Sequence, residues 1–383
     1  MAPPSERQQR LLGSAIAALR KGRARESRQA AAQAVALGAD NASIWGVLAM
    51  ACRDLGDLPG AQTAAERSIA HEPRNPRAFV VKGDVYHALG NARAAAAFYR
   101  DALKFAAPQN SPAEMREELQ RAQTRVAAFQ RDFERYLDKE IEAFVATCDA
   151  DTRRMREALD ILCGRRQVYH QQPRHFLFPG LTARGFYEAS AFSWVRALEA
   201  SAGDIRSELD ALLERDTPFS PYLTASADRP AYDNHGMADN SDWGAFYLWR
   251  DGRALADNQA LCPKTTAAIK RVPLVFSGKR CPSVLFSRLK AGAGIPAHTG
   301  MINTRLIAHL ALIVPEGCGF RVGNDSRPWA PGKVWLFDDT IEHEAWNRSD
   351  RDRIILIFEV WKPELSEAER AFVSRILQAV DDY

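Results

Sequence analysis

FSRLKAGAGIPAHTGMINTRLIAHLALIVPEGCGFRVGNDSRPWAPGKVWLFDDTIEHEAWNRSDRDRIILIFEVW, residues 286–361, is the stretch around which the chain is organised. RLIAHLALIV (305–314) and RIILIFEVW (353–361) are continuous apolar, β-branched runs, each long enough for a buried strand. Between them stand Pro315-Glu316-Gly317, Gly323-Asn324-Asp325 and Ala330-Pro331-Gly332-Lys333, all of turn chemistry. Such strands expose backbone edges unless two antiparallel sheets close on each other. The polar residues inside this apolar frame then need an explanation.

Three of them are histidines and two are arginines. His298 stands in Pro-Ala-His-Thr-Gly, and His343 stands in Asp-Asp-Thr-Ile-Glu-His-Glu ahead of the second strong strand. Neutral imidazole is a good ligand for iron(II). Non-heme iron oxygenases commonly add a carboxylate to two histidines and leave positions open for cosubstrate and oxygen. The residue two positions after His298 is Gly300, which cannot ligate. Period-two alternation puts Arg305, Ile307 and His309 on one strand face, and Arg353, Ile355, Ile357 and Glu359 on one face of the other. A guanidinium inside an apolar strand is costly unless paired. Arginine matches a carboxylate bidentately. A dicarboxylic cosubstrate such as 2-oxoglutarate would be that partner for Arg353, with the Ser287 hydroxyl as a further donor. The competing reading of Arg353 is a structural ion pair with Asp338 or Asp339. His309 also reads as a core histidine, and Ser287 as an ordinary strand serine. Asp338 and Asp339 read as turn-closing residues or as supports for a histidine. Trp335, Trp346 and Trp361 read as core.

The blocks FSRLKAGAGIPAHTG, NTRLIAHL, GKVWLFDDTIEHEAWN and RIILIFEVWKPEL closely resemble the aspartyl/asparaginyl β-hydroxylase family. The strong part of the match spans about 284–365, and a weaker part reaches back through FPGL and DW to about 174. The resemblance implies a double-stranded β-helix fold and an iron(II)- and 2-oxoglutarate-dependent dioxygenase that consumes O2. It implies a metal held by two histidines without a carboxylate, which makes Gly300 part of the pattern. Carried over by position, it gives His298 and His343 as iron ligands. Arg353 and Ser287 grip the distal carboxylate of 2-oxoglutarate, His309 contacts the end nearer the metal, and Arg305 lies near a substrate or cosubstrate carboxylate. Animal members have a second arginine where this chain has Ile307, which puts recognition of an aspartyl carboxylate in doubt. Asp242 and Trp243 are candidates for the substrate cleft.

Upstream, residues 8–110 are helical and alanine-rich, and they repeat. Gly22, Gly56 and Gly90 are spaced by 34, as are Trp45 and Phe79. Phe79, Gly83, Tyr86, Ala95 and Ala102, with Trp45, Leu48, Ala61 and Pro73 one unit earlier, resemble the packing positions of a tetratricopeptide repeat. The alternative is a generic alanine-rich bundle. Residues 111–170 read as linking or capping helix, starting at Ser111-Pro112-Ala113-Glu114. Residues 171–383 read as the oxygenase-like domain. In it FLFPGL is strand-like, AFSWVRALEASAGDIRSELDALLERD is helical, AFYLWR is a short strand and LSEAERAFVSRIL is a terminal helix with Ser366 and Glu369 at capping-box spacing. Family members with such repeats ahead of the oxygenase domain suit this order. The fold expected is thus multidomain α and β, a repeat solenoid followed by a jelly-roll or cupin-like double-stranded β-helix.

The length of 383 residues suits about two or three domains. A net charge of +3 gives no argument for nucleic acid. The six cysteines form no C-x-x-C pair, which fits a reducing compartment. No apolar h-region follows the N-terminus, and no run reaches the length of a membrane span. The expectation is a cytoplasmic protein. Three functions stay open. The first is hydroxylation of the β-carbon of an aspartyl or asparaginyl residue in a peptide or protein presented by the repeats. The second is hydroxylation of a free or carrier-bound amino acid or a lipid acyl chain, the lipid disfavoured by the missing span. The third is a non-catalytic repeat scaffold with an inactive oxygenase domain.

Overall fold

The structure is a computed structural model that describes residues 5–106, 112–149, 151–225 and 236–383. The expected helix start at Ser111 and the polar segment 226–235 lie outside the described residues. The chain divides between Arg165 and Arg166 into two compact units.

In the first unit α1 (Glu6–Arg20) and α2 (Ala24–Ala36), α3 (Ala42–Asp54) and α4 (Leu58–His71), and α5 (Pro76–Ala88) and α6 (Ala92–Phe105) form three successive hairpins. Gly22, Gly56 and Gly90 end the first helix of each pair with φ of 69°, 75° and 75°, the left-handed conformation glycine adopts without strain. The caps repeat too. Asn41 and Asn75 cap α3 and α5, and Asp57 and Asn91 cap α4 and α6, each accepting from backbone N–H groups of the first turn. Small residues set the helix approach. A β-carbon on Gly83 would lie 2.5 Å from the Tyr99 ring. The repeat stack is therefore tetratricopeptide-like. It is closed by α7 (Ala113–Val145), which lays Met115, Leu119 and Ala122 on Val80, Tyr99 and Ala102. After α7 ends at Val145 a second helix follows in the linking segment, α8 (Arg153–Leu162), with Gly164 in the left-handed region just beyond it.

The second unit runs β1 (Phe186–Tyr187), α9 (Val195–Ala200), α10 (Ala202–Glu214), β2 (Ser220–Pro221), β3 (Trp243–Arg250), β4 (Arg253–Ala254), α11 (Ala256–Leu261) and α12 (Pro263–Ile269). It continues through β5 (Val284–Leu289), β6 (Gly294–His298), β7 (Arg305–Ile313), β8 (Cys318–Val322), β9 (Asp325–Arg327), β10 (Val334–Phe337), β11 (His343–Asn347), β12 (Arg353–Trp361) and α13 (Glu367–Asp382). The strands form an eight-stranded sheet, β1-β10-β7-β12-β5-β3-β2 with β4 on β3, and a four-stranded sheet, β6-β11-β8-β9. Every strand pair in both is antiparallel.

The two apolar strands of the sequence pair with each other, β7 against β12, at the middle of the large sheet. Both are buried on both faces, which is why they read as continuous hydrophobic runs. Leu306, Ala308, Leu310 and Leu312, with Ile354, Leu356, Phe358 and Val360, pack toward Leu198 of α9, Ile205, Leu209 and Leu212 of α10 and Ile269 of α12. Ala311, Ile355 and Ile357 pack the other way, onto Ile295, Phe320, Val322 and Ala345 of the small sheet. The two sheets thus enclose a core whose inward positions are those of Arg305, His309 and Arg353.

Two local expectations differ. FLFPGL forms no strand. Phe176 makes a single bridge to Ile302, and Phe176 and Phe178 pack with Val373 and Leu377 of α13. The helix expected over 191–216 is two, α9 and α10, parted at Ser201. The capping box of α13 is present, Ser366 and Glu369 bonding reciprocally.

Candidate functional site

A cavity of about 470 Å³ lies between the sheets, lined by residues of β5, β6, β7, β11 and β12. His298 ends β6 and His343 begins β11, and the two are direct partners in the antiparallel pair. Opposed residues project to the same face, so the imidazole centroids stand 4.1 Å apart. Each Nδ1 sits by a carbonyl two residues back, His298 at 2.7 Å from Pro296 and His343 at 3.0 Å from Ile341. A carbonyl only accepts, so Nδ1 carries the proton and Nε2 the lone pair. Burial, reinforced by the neighbouring His298, pushes His343 down to about 3 and keeps it neutral at pH 7. Among the described residues no third His, Cys, Asp or Glu completes a metal-binding group with them. Gly300 shows why. A β-carbon there would fall 2.0 Å from the Asp339 carboxylate, so no ligating side chain fits at that position.

Arg353 begins β12 and is 1% exposed. Its guanidinium lies 5.0 Å from the Trp329 ring centre, and its Nε and one terminal nitrogen have no hydrogen-bond partner among the described residues. Burial depresses its pKa to about 10, still charged at neutral pH. The competing ion pairs are filled by other cations. Asp338 pairs with Lys362 at 2.6 Å, both fully buried, and accepts from Gln171 and Thr340. Asp339 pairs with Arg305 at 3.2 Å. Arg305 also ion-pairs with Glu359, inward on the neighbouring strand. It therefore lines the cavity already bound to two carboxylates, which the sequence reading had not assigned to it.

His309 lies inside against the Phe337 ring at 4.9 Å, and its Nδ1 has no partner among the described residues. Burial and then the Arg353 charge hold its pKa well below the usual histidine value. Ser287 is fully buried on β5 and accepts a 3.0 Å hydrogen bond from Trp243 Nε1. Trp243 stacks on Tyr222 at 3.9 Å, and both line the cavity. Asp242, its companion in the sequence reading, is not among the lining residues and pairs with Lys290 at 3.3 Å. The structure thus gathers His298, His343, Ser287, His309, Arg305, Arg353 and Trp243 around one cavity. Arg174, Tyr222 and Trp329 line it without having been singled out. They come from loops, where no periodicity marks an inward face.

The sheets and the cavity between them define the second unit as a double-stranded β-helix domain. Residues 199–363 match the family model Aspartyl/Asparaginyl beta-hydroxylase. Residues 12–61 and 53–111 match the tetratricopeptide repeat model, which points to protein–protein interaction for the first unit. The human aspartyl/asparaginyl beta-hydroxylase is 36% identical over 139 residues, 36% of this chain and 18% of that protein. The ornithine lipid ester-linked acyl 2-hydroxylase of Rhizobium tropici is 33% identical over 185 residues, 48% of this chain and 62% of that protein. The chain thus spans less than two thirds of either relative. The Arabidopsis OM64 TPR domain is similar to the repeats at 20% identity, covering 32% of this chain and 98% of that one, with a TM-score of 0.28. No helix among the described residues is long and apolar enough to cross a membrane.

Proposed function

We propose that the chain is an iron(II)- and 2-oxoglutarate-dependent dioxygenase that hydroxylates an unactivated C–H bond in a peptide or protein, with the repeats presenting the substrate. The observation that carries this is Arg353, a fully buried guanidinium without a protein anion among the described residues, in the same cavity as two directly opposed histidines. An uncompensated buried cation is destabilising, and an obligatory carboxylate ligand explains its presence. The histidine pair fits a metal that takes imidazole nitrogen and keeps positions open.

The overall change is R–H plus 2-oxoglutarate plus O2 to R–OH plus succinate plus CO2, and bound iron(II) supplies the oxidising chemistry. The chain's own residues do the rest. The Pro296 and Ile341 carbonyls fix the tautomer and orientation of His298 and His343. Arg353 receives the distal carboxylate. Trp243 donates to the Ser287 oxygen, which leaves the Ser287 hydrogen to be donated to that same carboxylate. His309, neutral beside Arg353, offers a hydrogen bond to the carboxylate nearer the metal. The aromatic wall of Tyr222, Trp243 and Trp329 excludes water. Acyl-chain hydroxylation is the second reading, favoured by Ile307, which places an apolar side chain on the cavity wall.

The test is succinate release from 2-oxoglutarate by purified protein with iron(II), with and without candidate peptides, and with His343→Ala as control. Turnover that disappears in the variant supports the dioxygenase. Absence of turnover together with absence of metal-dependent 2-oxoglutarate binding would leave a repeat scaffold.

A further inference from the structure

Arg321 of β8 stands on the outer face of the small sheet, away from the cavity. Its strand neighbours Phe320 and Val322 pack inward, so alternation turns Arg321 outward. Register places it directly opposite Glu344 of β11, and Val322 opposite His343. The guanidinium donates from Nε to Glu344 at 2.6 Å and from one terminal nitrogen to Glu342 at 2.9 Å. The other terminal nitrogen donates to the Gly323 carbonyl at 2.8 Å and to the Tyr169 hydroxyl at 3.1 Å. The Gly323 N–H in turn donates to the Glu342 carbonyl at 2.8 Å. Both chain neighbours of His343 are thus held from behind by one planar set of donors, a geometry that arginine supplies and lysine does not.

Two further observations point this clamp at the site. First, β11 meets β6 with a register shift between His343 and Ala345, whereas its register with β8 is continuous from His343 to Asn347. The regular side of His343 is therefore the one that carries Arg321. Second, the His343 ring is aimed by its Nδ1 contact with the Ile341 carbonyl, and the residue between them is Glu342. Stability is a poor reason for the arrangement. The Glu342 and Glu344 side chains are 39% and 36% exposed, and ion pairs so exposed contribute little. The chain neighbours of His298 are Ala297 and Thr299, which bring no charge.

Resting on the metal site of the dioxygenase reading above, we infer that Arg321 is a positioning residue for that centre. By clamping Glu342 and Glu344 it holds the His343 imidazole in its ligating orientation. Without the clamp the two-histidine arrangement is populated less, and metal affinity falls by that fraction.

The full chain is titrated with cobalt(II), whose visible absorption reports ligand geometry. Arg321→Gln is expected to weaken binding by about 10–100-fold, the range for losing the outer support of a ligating histidine, and to shift the cobalt bands. In metal-free protein it speeds amide exchange over residues 341–345. Tyr169→Phe takes one contact from the guanidinium and leaves the clamp, so cobalt affinity and bands stay as in wild type. Glu344→Gln removes one arm of the clamp and should weaken cobalt binding in the same sense by less, which keeps the test decisive if Arg321→Gln does not fold. Wild-type affinity and bands in Arg321→Gln, or in Glu344→Gln where that is the folded variant, overturn the inference. So does a Tyr169→Phe loss as large as that of Arg321→Gln, since Arg321 would then serve the segment of Tyr169 and not His343. Failure of the dioxygenase reading registers separately, as a wild-type protein that binds no cobalt(II). The exchange comparison then decides on the clamp without metal, and unchanged exchange in Arg321→Gln rejects it.

Discussion

Each unit buries a charge, and the two treat it in opposite ways. In the helical unit Asp84 is enclosed by Arg53 at 3.1 Å, Arg121 at 2.9 Å and the Tyr99 hydroxyl at 2.6 Å. These partners come from α3, α7 and α6, so one carboxylate ties three helices to α5. In the sheet unit Arg353 has an aromatic ring for company and, among the described residues, no anion. A satisfied buried charge belongs to the fold. An unsatisfied one is a cost the fold carries for something absent from the polypeptide. The contrast separates structure from site more sharply than burial does, since both residues are buried.

The largest expected effect breaks the Arg353 side of this contrast. Arg353→Met should weaken 2-oxoglutarate binding by roughly 100-fold or more, the scale of losing about 3 kcal/mol from a desolvated charge pair. It should leave the unfolding midpoint of the ligand-free protein unchanged or raised, because a lone buried cation disappears. Calorimetric titration with 2-oxoglutarate and a thermal melt without it check both halves. Unchanged affinity would remove Arg353 from the cosubstrate's contacts.

Asp84→Asn tests the other side. It strips Arg53 and Arg121 of their shared partner and should cost about 1–3 kcal/mol, below the range of a fully enclosed pair because the Arg121 side chain is 41% exposed. The 2-oxoglutarate affinity should not move. Denaturant melts followed on the repeat unit measure the loss, and a concurrent fall in cosubstrate affinity would show that the two charges are not independent.

A third substitution sharpens the contrast inside the cavity. Gly300→Asp restores the carboxylate position found in other iron sites, but the space is already taken by Asp339. The expected outcome is a loss of about 1–3 kcal/mol from overpacking and a weakened Arg305–Asp339 pair, rather than a stronger metal site. Metal titration by calorimetry alongside the melt distinguishes these, and tighter metal binding in the variant would contradict the steric reading.

Much of the frame was legible because it rests on short-range rules. The period of 34 is written in Gly22, Gly56 and Gly90, and the structure shows each at the same left-handed turn. Parity along β7 and β12 separated the inward Arg305, His309 and Arg353 from the outward Leu306, Ala308 and Ile354. The partners of Arg305 were not legible in this way. Glu359 and Asp339 lie 54 and 34 residues away along the chain, and no local pattern links them. FLFPGL was misread because an apolar run says that a segment is buried, not what covers it. Here the cover is α13 rather than a neighbouring strand. That His298 and His343 serve one site came from resemblance, and their direct opposition is a finding of the structure, since cross-strand register follows from tertiary pairing.

His309 gives the smallest effect and the one with a pH signature. Its folded pKa is held well below the ordinary histidine value of about 6.5 by burial and by Arg353. The unfolded chain therefore takes up a proton near pH 6.5 while the folded chain does not. The buried neutral form is no handicap above that pH, and stability falls as pH drops below it, by up to about 1.4 kcal/mol per pH unit while the difference persists. His309→Leu should remove this part of the slope between pH 6.5 and 5 and leave stability at pH 8 nearly unchanged. Arg353 would then lose a neutral neighbour rather than a charged one, so 2-oxoglutarate affinity should fall far less than in Arg353→Met. Unfolding midpoints of metal-free protein measured across that range decide it. A slope identical to wild type would mean that His309 is already protonated in the fold, as an ion-paired core histidine would be.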